Sequence, residues 1–304
     1  MSAPALERFK YRARVAAGAC LHAAGLYRRL LPVFQPQPAE PVRRLQAYLQ
    51  HYYDQAESAE AELFLAGLGL TVACDIKDHM LWPHLEGKAA VYEQLDIDHC
   101  RAAVRPGDHI LDVGANHGFW GYALAHAAGP GAVAYFCEPN PKLQRRLRRT
   151  AQLNPGIAAH LLPYAIADGT QDTLTFYLPT GNLSGLGSTV LHQVAREHGY
   201  LTEQLRMTVP SRSIDALVQA GEIAGIDIMK IDVEHAEDAV VRGAGAALRR
   251  FRPRLVMVET SPGSAAARAL QAMGYASYRL GADGAPAGVE PGYWGNIFFR
   301  RPAP

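Results

Sequence analysis

The sequence predicts an α/β fold with a mostly parallel, seven-stranded sheet covered by helices on both faces. From residue 108 onward, short apolar runs alternate with stretches of helical periodicity, a pattern typical of parallel strands joined by helices. Hydrophobic residues make up 49% of the 304 residues, enough to fill a large core. The seven predicted strands are 109–113, 132–137, 160–166, 226–233, 254–259, 277–280 and 296–300. The clearest predicted helices are 143–152, 236–250 and 265–273.

We predict a separate helical segment over residues 1–69 and the main domain over residues 70–304. Helices are expected over 6–30 and 40–66, joined by the proline-rich "LPVFQPQPAEP". Residues 70–87 predict two short strands around a turn at Lys77 and Asp78. A helix is expected over 88–104, ended by Pro106 and Gly107.

Charge and cysteine content restrict the class of protein. Thirty Lys and Arg residues nearly balance 29 Asp and Glu residues, so no nucleic-acid partner is predicted. The four cysteines are scattered and form no CxxC pair, which favours reduced, mostly buried thiols in a cytoplasmic protein. No apolar run reaches the roughly 20 residues that span a bilayer. The sequence gives no prediction of the oligomeric state.

The N-terminal segment is strongly basic. Residues 1–44 contain eight Lys and Arg residues against Glu7 and Glu40. Two interpretations stay open for residues 1–35. One is a solvated helix packed on the main domain, which is the usual fate of a charged helix face. The other is a helix on an anionic membrane surface, which would make the protein peripheral to the membrane.

The stretch "ILDVGANHGFWGYALA" places an acid, Asp112, at the end of a predicted strand. Gly114, Asn116 and Gly118 follow in a turn that leads into a helix. Ligands of open parallel sheets bind outside the carboxyl ends of the strands. A phosphate site would offer only backbone N–H groups and the positive end of a helix. The acid here indicates a cationic ligand instead.

The next strand ends in "AYFCEPN", with Glu138 at its tip. An acid at this position commonly accepts both hydroxyls of a ribose. Adenosine, a cation and a carboxylate together describe S-adenosylmethionine (SAM). The alternative to a SAM site is a dinucleotide-binding site. Such a site would need the motif GxGxxG, which "GANHGF" does not match.

Over about residues 70–301, the order of motifs resembles the FkbM-type SAM-dependent methyltransferases. The motifs that carry this resemblance are "VRPGDHILDVGANHGFWGYALA", "YFCEPNPKLQRRLRRTAQLN", "PYAIAD", "SIDALV", "IMKIDVEHAEDAVVRGA" and "GNIFF". The resemblance implies a class I methyltransferase (Rossmann-like) fold and, usually, O-methylation of sugar or polyketide hydroxyls. It also implies a cofactor-binding set made of Asp112, Gly114, Asn116, Gly118, Glu138 and Asp168. His117 stands within the same turn and is a further candidate for cofactor binding. His117 and His235 depart from the residues usual in the family, which puts the substrate and the base in doubt.

The strand end "IMKIDVEHAED" holds the candidate catalytic residues Asp232, Glu234 and His235. Histidine has the ordinary pKa of a general base, although a loop histidine is often only structural. Lys230 is expected to neutralise nearby acids. Glu237 is either a substrate contact or an acid that stabilises a helix start.

These side chains could also bind a divalent metal, but their spacing is not diagnostic and no metal site is predicted. Trp294 and Asn296 are further candidates for substrate binding, since an exposed aromatic ring can stack on a sugar. The polar loop "TGNLSGLGST" is a candidate lid. The predicted function is SAM-dependent O-methylation of a sugar, glycan or glycosylated metabolite. The alternatives are a methyltransferase-like binding module without catalysis and an NAD-type oxidoreductase.

Overall fold

The computed structural model describes residues 3–27, 40–56, 58–81, 92–179, 183–191 and 196–301. Its contacts divide the chain into two units. The first contains Met1–Gly67 and Thr71–Tyr92, and the second contains Leu68–Leu70 and Glu93–Pro304. This division falls later in the chain than the predicted boundary at residue 70. Among the described residues, no helix combines the length and the apolar character needed to cross a bilayer.

The N-terminal unit combines two helices with a strand pair. Its elements are α1 (Ala3–Ala23), α2 (Glu40–Gln55), β1 (Glu60–Leu65) and β2 (Leu70–Asp75). β1 and β2 form a two-stranded sheet. A short 3-10 helix, His79–Leu81, follows β2.

Two predictions for this unit are wrong. A helix was expected to continue to residue 66, but Ala61, Leu63 and Leu65 are buried on one face of β1. This period-two pattern overrides the helix propensity of its Ala and Glu residues. The second strand expected after the Lys77–Asp78 turn is replaced by the 3-10 helix as far as Leu81. Residues 31–39 of the proline-rich linker and residues 82–91 lie outside the described residues.

The second unit alternates strands and helices, as predicted. Its helices are α3 (Gln94–Arg101), α4 (Phe119–Ala128), α5 (Pro141–Leu153), α6 (Ile214–Gln219), α7 (Glu237–Arg242), α8 (Gly245–Phe251) and α9 (Ala265–Ala272). Its strands are β3 (His109–Val113), β4 (Val133–Cys137), β5 (Ala158–Leu162), β6 (Ala165–Ile166), β7 (Thr173–Pro179), β8 (Leu201–Arg212), β9 (Ile228–Ile231), β10 (Leu255–Thr260), β11 (Ala276–Leu280), β12 (Pro286–Ala287) and β13 (Gly295–Arg300).

The main sheet has the strand order β12-β11-β13-β10-β9-β3-β4-β5. β10, β9, β3, β4 and β5 are parallel, whereas β13 runs antiparallel to both β10 and β11. The predicted class I methyltransferase fold is confirmed, with the two-residue strand β12 added at one edge. The strand order reverses beside β3, so the carboxyl ends of β3 and β9 are where a ligand is expected.

Two predicted elements are split in the structure. The strand expected over 160–166 divides into β5 and β6 at Pro163, which has no N–H to donate to a ladder. The helix expected over 236–250 divides into α7 and α8 at Gly243. A Cβ at Gly243 would lie 2.2 Å from the carbonyl oxygen of Ala167, so this close approach requires glycine.

A three-stranded sheet of order β6-β8-β7 lies beside the loop predicted as a lid. β7 and β8 are antiparallel, and the Tyr177–Ser188 bridge joins this loop to β7. The described part of the loop begins at residue 183.

The two faces of the central strands differ in chemistry. Leu111 on β3 is in register with Met229 on β9, and both lie in the main hydrophobic core. The next register pair is Asp112 with Lys230, whose side chains alternate to the other face. The sheet therefore holds a buried acid and a buried lysine side by side on one face.

Candidate active site

The turn after β3 has the backbone conformation that its glycines allow. Gly114, Asn116 and Gly118 have φ values of 80°, 50° and 76°, all in the left-handed region. A Cβ at Gly114 would lie only 1.7 Å from the carbonyl oxygen of Asp232. Because no side chain can stand there, the turn lies directly against the end of β9.

The backbone N–H groups of this turn are bonded within the protein. Those of Gly114 and Ala115 donate to the carbonyl of Cys137 at 3.1 and 3.0 Å. Asn116 donates to Oε2 of Glu138 at 2.9 Å, and Gly118 donates to the carbonyl of Ala115 at 2.7 Å. The turn is thus braced on β4 and does not present these four donors as a phosphate cradle.

Glu138 lies at the carboxyl end of β4 and is 4% exposed. Its two oxygens accept hydrogen bonds from the backbone N–H groups of Asn116 and Asn140. Burial raises its pKa to about 7, against the lowering effect of these two hydrogen bonds. Each carboxylate oxygen keeps a second lone pair, so Glu138 can still accept hydroxyl donors.

A cavity with about 520 Å³ of empty space, partly open to solvent, lies beside this turn. Its walls come from the ends of β3, β4 and β9, from the segment 164–166 and from the loop 184–189. The lining residues are Gly114, Asn116, Cys137, Glu138, Pro139, Leu143, Tyr164, Ala165, Ile166, Phe176, Ser184, Gly185, Gly187, Thr189, Asp232 and Val233.

Asp112 was expected to face the ligand, but it is not among the residues that line this cavity in the described chain. It is 1% exposed, and its Oδ2 accepts from the backbone N–H of Gly121 in α4 at 3.0 Å. Burial raises its pKa to about 6. The structure therefore gives Asp112 the role of holding the first turn of α4 against the sheet. A direct contact with a cofactor stays a prediction.

The other predicted cofactor residues divide between the cavity wall and its surroundings. Gly118 packs against the side chains of Leu147 and Tyr122, away from the wall. His117 is buried, and its Nε2 lies 3.4 Å from Oγ of Ser184 in the loop. This contact joins the glycine turn to the loop that lines the cavity.

Asp168 is also absent from the described cavity wall. Its carboxylate accepts from the hydroxyl and N–H of Thr170 and from the guanidinium of Arg242. These hydrogen bonds lower its pKa. The carboxylate is thus engaged in a local turn, two residues beyond the wall residue Ile166.

Asp232 joins the cavity to a buried charge network. It lines the cavity, and its Oδ2 lies 2.9 Å from Nζ of Lys230. The same ammonium lies 3.9 Å from Oε2 of Glu93. The expectation that Lys230 neutralises nearby acids is confirmed. Since Lys230 is only 6% exposed, its buried ammonium depends on these carboxylates as counter-charges.

Three carboxylates meet next to this ion pair. Side-chain oxygens of Asp232, Glu234 and Glu259 lie within 4.8 Å of one another. Burial and the neighbouring acids raise the pKa of Glu234 to about 8 and that of Glu259 to about 9. At neutral pH the carboxyls of Glu234 and Glu259 therefore retain their protons.

Glu237 was a candidate either for substrate contact or for stabilising a helix start, and the structure shows it at a helix start and bonded to the preceding loop. It is 3% exposed, and its Oε1 accepts from the backbone N–H groups of Val233 and His235. Burial raises its pKa to about 7. Glu237 thus braces the loop 233–235, in which Glu234 and His235 have left-handed φ values of 54° and 76°.

His235, Trp294 and Asn296 lie around the loop and strand ends that follow. The rings of His235 and Trp294 stack with centroids 4.8 Å apart at 26°, and Trp294 is 48% exposed. Asn296 turns inward and donates from Nδ2 to Glu93 at 3.0 Å and to Asp96 at 2.8 Å. Trp294 keeps an exposed surface for a substrate, whereas the amide nitrogen of Asn296 is used to hold buried acids.

Sequence reasoning missed Glu259 and Glu93. Glu259 lies near the carboxyl end of β10, as Asp232 follows β9, and this position was a usable signal. Glu93 had no such signal. It precedes α3, far along the chain from Lys230 and Asn296, and only the fold brings them together.

Comparison with known proteins gives a family match that covers most of this unit. A family model described as "Methyltransferase FkbM domain" matches residues 112–280. The chain is 29% identical over 178 residues to the "31-O-demethyl-FK506 methyltransferase FkbM" of Streptomyces tacrolimicus. That alignment covers 50% of this chain and 67% of the relative.

Solved structures give weaker likenesses. A methyltransferase FkbM from Methylobacillus flagellatus KT is 15% identical with a TM-score of 0.38, covering 73% of this chain and 52% of that one. A SAM-dependent O-methyltransferase from Thermotoga maritima is 10% identical with a TM-score of 0.34, covering 70% of this chain and 66% of that one. The chain spans about half the length of the first of these structures.

Proposed function

Because the chain belongs to the FkbM methyltransferase family, we propose that it transfers a methyl group from SAM to a hydroxyl of a sugar, glycan or glycosylated metabolite. The observation that carries this proposal is the cavity shared by Glu138 and Asp232. One is an acid that can accept ribose hydroxyls, and the other is an acid that can face a cation and an incoming hydroxyl. The family supports methyl transfer, and the choice of oxygen as acceptor is our inference.

The residues present fit SAM. Glu138 would bind the ribose with the lone pairs that its two backbone hydrogen bonds leave open. Gly114 lines the cavity, and its lack of a side chain lets the turn lie against the end of β9, which brings Asp232 to the same wall. Tyr164, Ile166 and Phe176 supply an apolar wall of the kind that an adenine ring prefers. When bound, SAM supplies an electrophilic methyl group on a sulfonium.

Asp232 is our candidate for the residue that handles the substrate hydroxyl. It lies in the cavity wall, and Lys230 holds its carboxylate at 2.9 Å. A fixed carboxylate can accept a hydrogen bond from an alcohol, align its oxygen and take its proton as the methyl group is transferred. Glu234 and Glu259 would then serve as proton-bearing neighbours.

His235 was the sequence-based candidate for the base, and its stacking on Trp294 favours another role. The stacked pair presents a flat aromatic surface, of which Trp294 remains half exposed. Aromatic faces of this kind bind the apolar face of a sugar ring. This surface is what supports a glycan or glycosylated acceptor over a small alcohol.

The cofactor assignment is tested by calorimetric titration with SAM. Glu138→Gln should weaken SAM binding by about 1–3 kcal/mol, the scale of a lost charge-assisted hydrogen bond. The control is Glu203→Gln, an exposed acid paired with Arg206 on β8. No SAM binding by the wild type would overturn the proposed function, and binding of NAD in its place would indicate an oxidoreductase.

The reaction is tested with labelled SAM and a panel of glycans followed by mass spectrometry. Transfer of one methyl group to a defined hydroxyl supports the proposal and names the acceptor. Binding of SAM without methyl transfer to any acceptor would indicate a methyltransferase-like binding module without catalysis.

The base is tested by comparing two variants. Asp232→Asn should lower kcat by about 10²-fold or more with a small change in SAM affinity. His235→Gln should mainly raise KM for the acceptor. If instead His235→Gln removes the acid limb of the pH–rate profile, histidine is the base. If a chelator abolishes wild-type turnover and Mg²⁺ restores it, a metal ion handles the hydroxyl.

A further inference from the structure

The first helix, α1, has one face packed within its own unit. Gly18 approaches α2 so closely that a Cβ there would lie 2.0 Å from the carbonyl oxygen of Tyr48. On the same side, the rings of Tyr11 and His51 meet edge to face with centroids 5.3 Å apart. These contacts define the packed face of α1.

The opposite face of α1 is an exposed stripe of small and apolar side chains. Its members are three or four residues apart, so they lie one above another on the helix. They are Phe9, Ala13, Ala16 and Cys20, and each is exposed. Phe9 is 64% exposed, more than any other large hydrophobic side chain among the described residues.

Lys10 and Arg12 border this stripe on its two sides. Lys10, Arg12 and Arg14 are exposed on the same helix. In the sequence, residues 8–39 contain six Lys and Arg residues and no Asp or Glu. Glu7 is one acid in α1 against Arg8, Lys10, Arg12 and Arg14, so the helix that bears the stripe carries a net positive charge.

We propose that this face of α1 binds the surface of an anionic lipid bilayer. Phe9 and the small residues of the stripe would enter the headgroup layer, while the bordering cations contact lipid phosphates. A second copy of the same face would bring like charges together, and a nucleic acid would leave the apolar stripe uncovered. This inference stands on α1 alone and does not depend on the methyl-transfer reaction.

Cys20 makes the binding directly measurable. It is exposed and lies in the stripe, whereas Cys74, Cys100 and Cys137 are buried. A thiol-reactive nitrobenzoxadiazole dye would therefore label the full-length protein at Cys20. Vesicles of phosphatidylcholine with phosphatidylglycerol should shift its emission to the blue, and salt should reverse the shift. Pure phosphatidylcholine vesicles should give no shift.

Flotation of the unlabelled protein with the same vesicles gives an independent readout. The triple variant Lys10→Gln, Arg12→Gln, Arg14→Gln should partition about 100-fold more weakly, at about 1 kcal/mol per cation near the surface. Phe9→Ser should also weaken partition. All four side chains are exposed, so circular dichroism should show unchanged folding.

The matched control neutralises three exposed arginines of the other unit, in Arg249→Gln, Arg250→Gln, Arg252→Gln. It should float like the wild type. Equal loss in the control would show that net charge, not α1, drives binding and would overturn the proposal. An unchanged emission spectrum with anionic vesicles would also overturn the proposal. So would a blue shift that grows with protein concentration in the absence of lipid, because it would show that the face binds a second copy of the chain.

Discussion

Replacement of Glu259 by Gln should change how the stability of the protein depends on pH. Burial and the neighbouring acids raise the pKa of Glu259 from 4.5 to about 9 in the folded protein. Between pH 7 and 9 the unfolded chain has already lost this proton, while the folded protein still holds it. Because the folded state binds more protons, the free energy of unfolding falls as pH rises through this window.

The size of the effect follows from the shift. For each proton that the folded state retains and the unfolded state has lost, the free energy of unfolding falls by about 1.4 kcal/mol per pH unit. Glu259 loses its own proton in the folded protein only near pH 9. We therefore expect Glu259 alone to remove about 2 kcal/mol of unfolding free energy between pH 7 and 9. Glu259→Gln mimics the protonated carboxyl and cannot ionise. Its unfolding free energy should fall by about 2 kcal/mol less than that of the wild type over this range.

Urea denaturation at pH 7, 8 and 9, followed by circular dichroism, measures the difference. The control is Glu290→Gln, because Glu290 hydrogen-bonds to Arg279, which lowers its pKa to about 2 and keeps it ionised throughout. That variant should show the wild-type slope. If Glu259→Gln also shows the wild-type slope, Glu259 is ionised at pH 7, and the idea of a proton-sharing group with Asp232 and Glu234 is refuted.

Three further changes test the rest of the site. Lys230→Met should destabilise the protein by about 3–5 kcal/mol in urea denaturation, because Asp232 loses its buried counter-charge. A second urea series at pH 9 should show a larger loss than at pH 6. Gly114→Ala should abolish SAM binding in calorimetry, since its Cβ would collide with the Asp232 carbonyl; unchanged affinity would contradict the turn geometry. Trp294→Ala should raise KM for a sugar acceptor in steady-state kinetics and leave SAM affinity unchanged; an equal loss of both would contradict a stacking role.

The sheet could be predicted from the sequence because its central strands are short, apolar and separated by helical periodicity. Where the prediction failed, a local contact decided the outcome. Pro163 interrupts a strand, and Gly243 ends a helix where the chain passes the carbonyl of Ala167. In β1, alternating burial overrides helix propensity. Such contacts depend on residues that the fold brings together from distant parts of the chain. Secondary-structure propensity describes only the local sequence and cannot predict them.

Within the candidate site, the sequence predicted where the acidic residues lie better than it predicted what each of them contacts. Strand-end acids were correctly located, but the sequence did not show which of them face the cavity. Glu138 and Asp232 line it, whereas Asp112 alternates to the face that packs on α4. Glu237 binds backbone N–H groups of the preceding loop, a role that its position at the start of α7 already permitted.

The distribution of charge around Lys230 distinguishes Asp232 from the neighbouring acids. One buried ammonium serves a neighbourhood that contains Asp232, Glu93, Glu234 and Glu259. It cannot neutralise them all, and a low dielectric makes each additional bare carboxylate costly. Asp232 is the carboxylate that contacts Nζ at 2.9 Å, while the raised pKa values of Glu234 and Glu259 keep protons on their carboxyls. This arrangement would place the carboxylate held by Lys230 at the cavity wall, beside protonated carboxyls that can donate hydrogen bonds, as the alignment of a substrate hydroxyl requires.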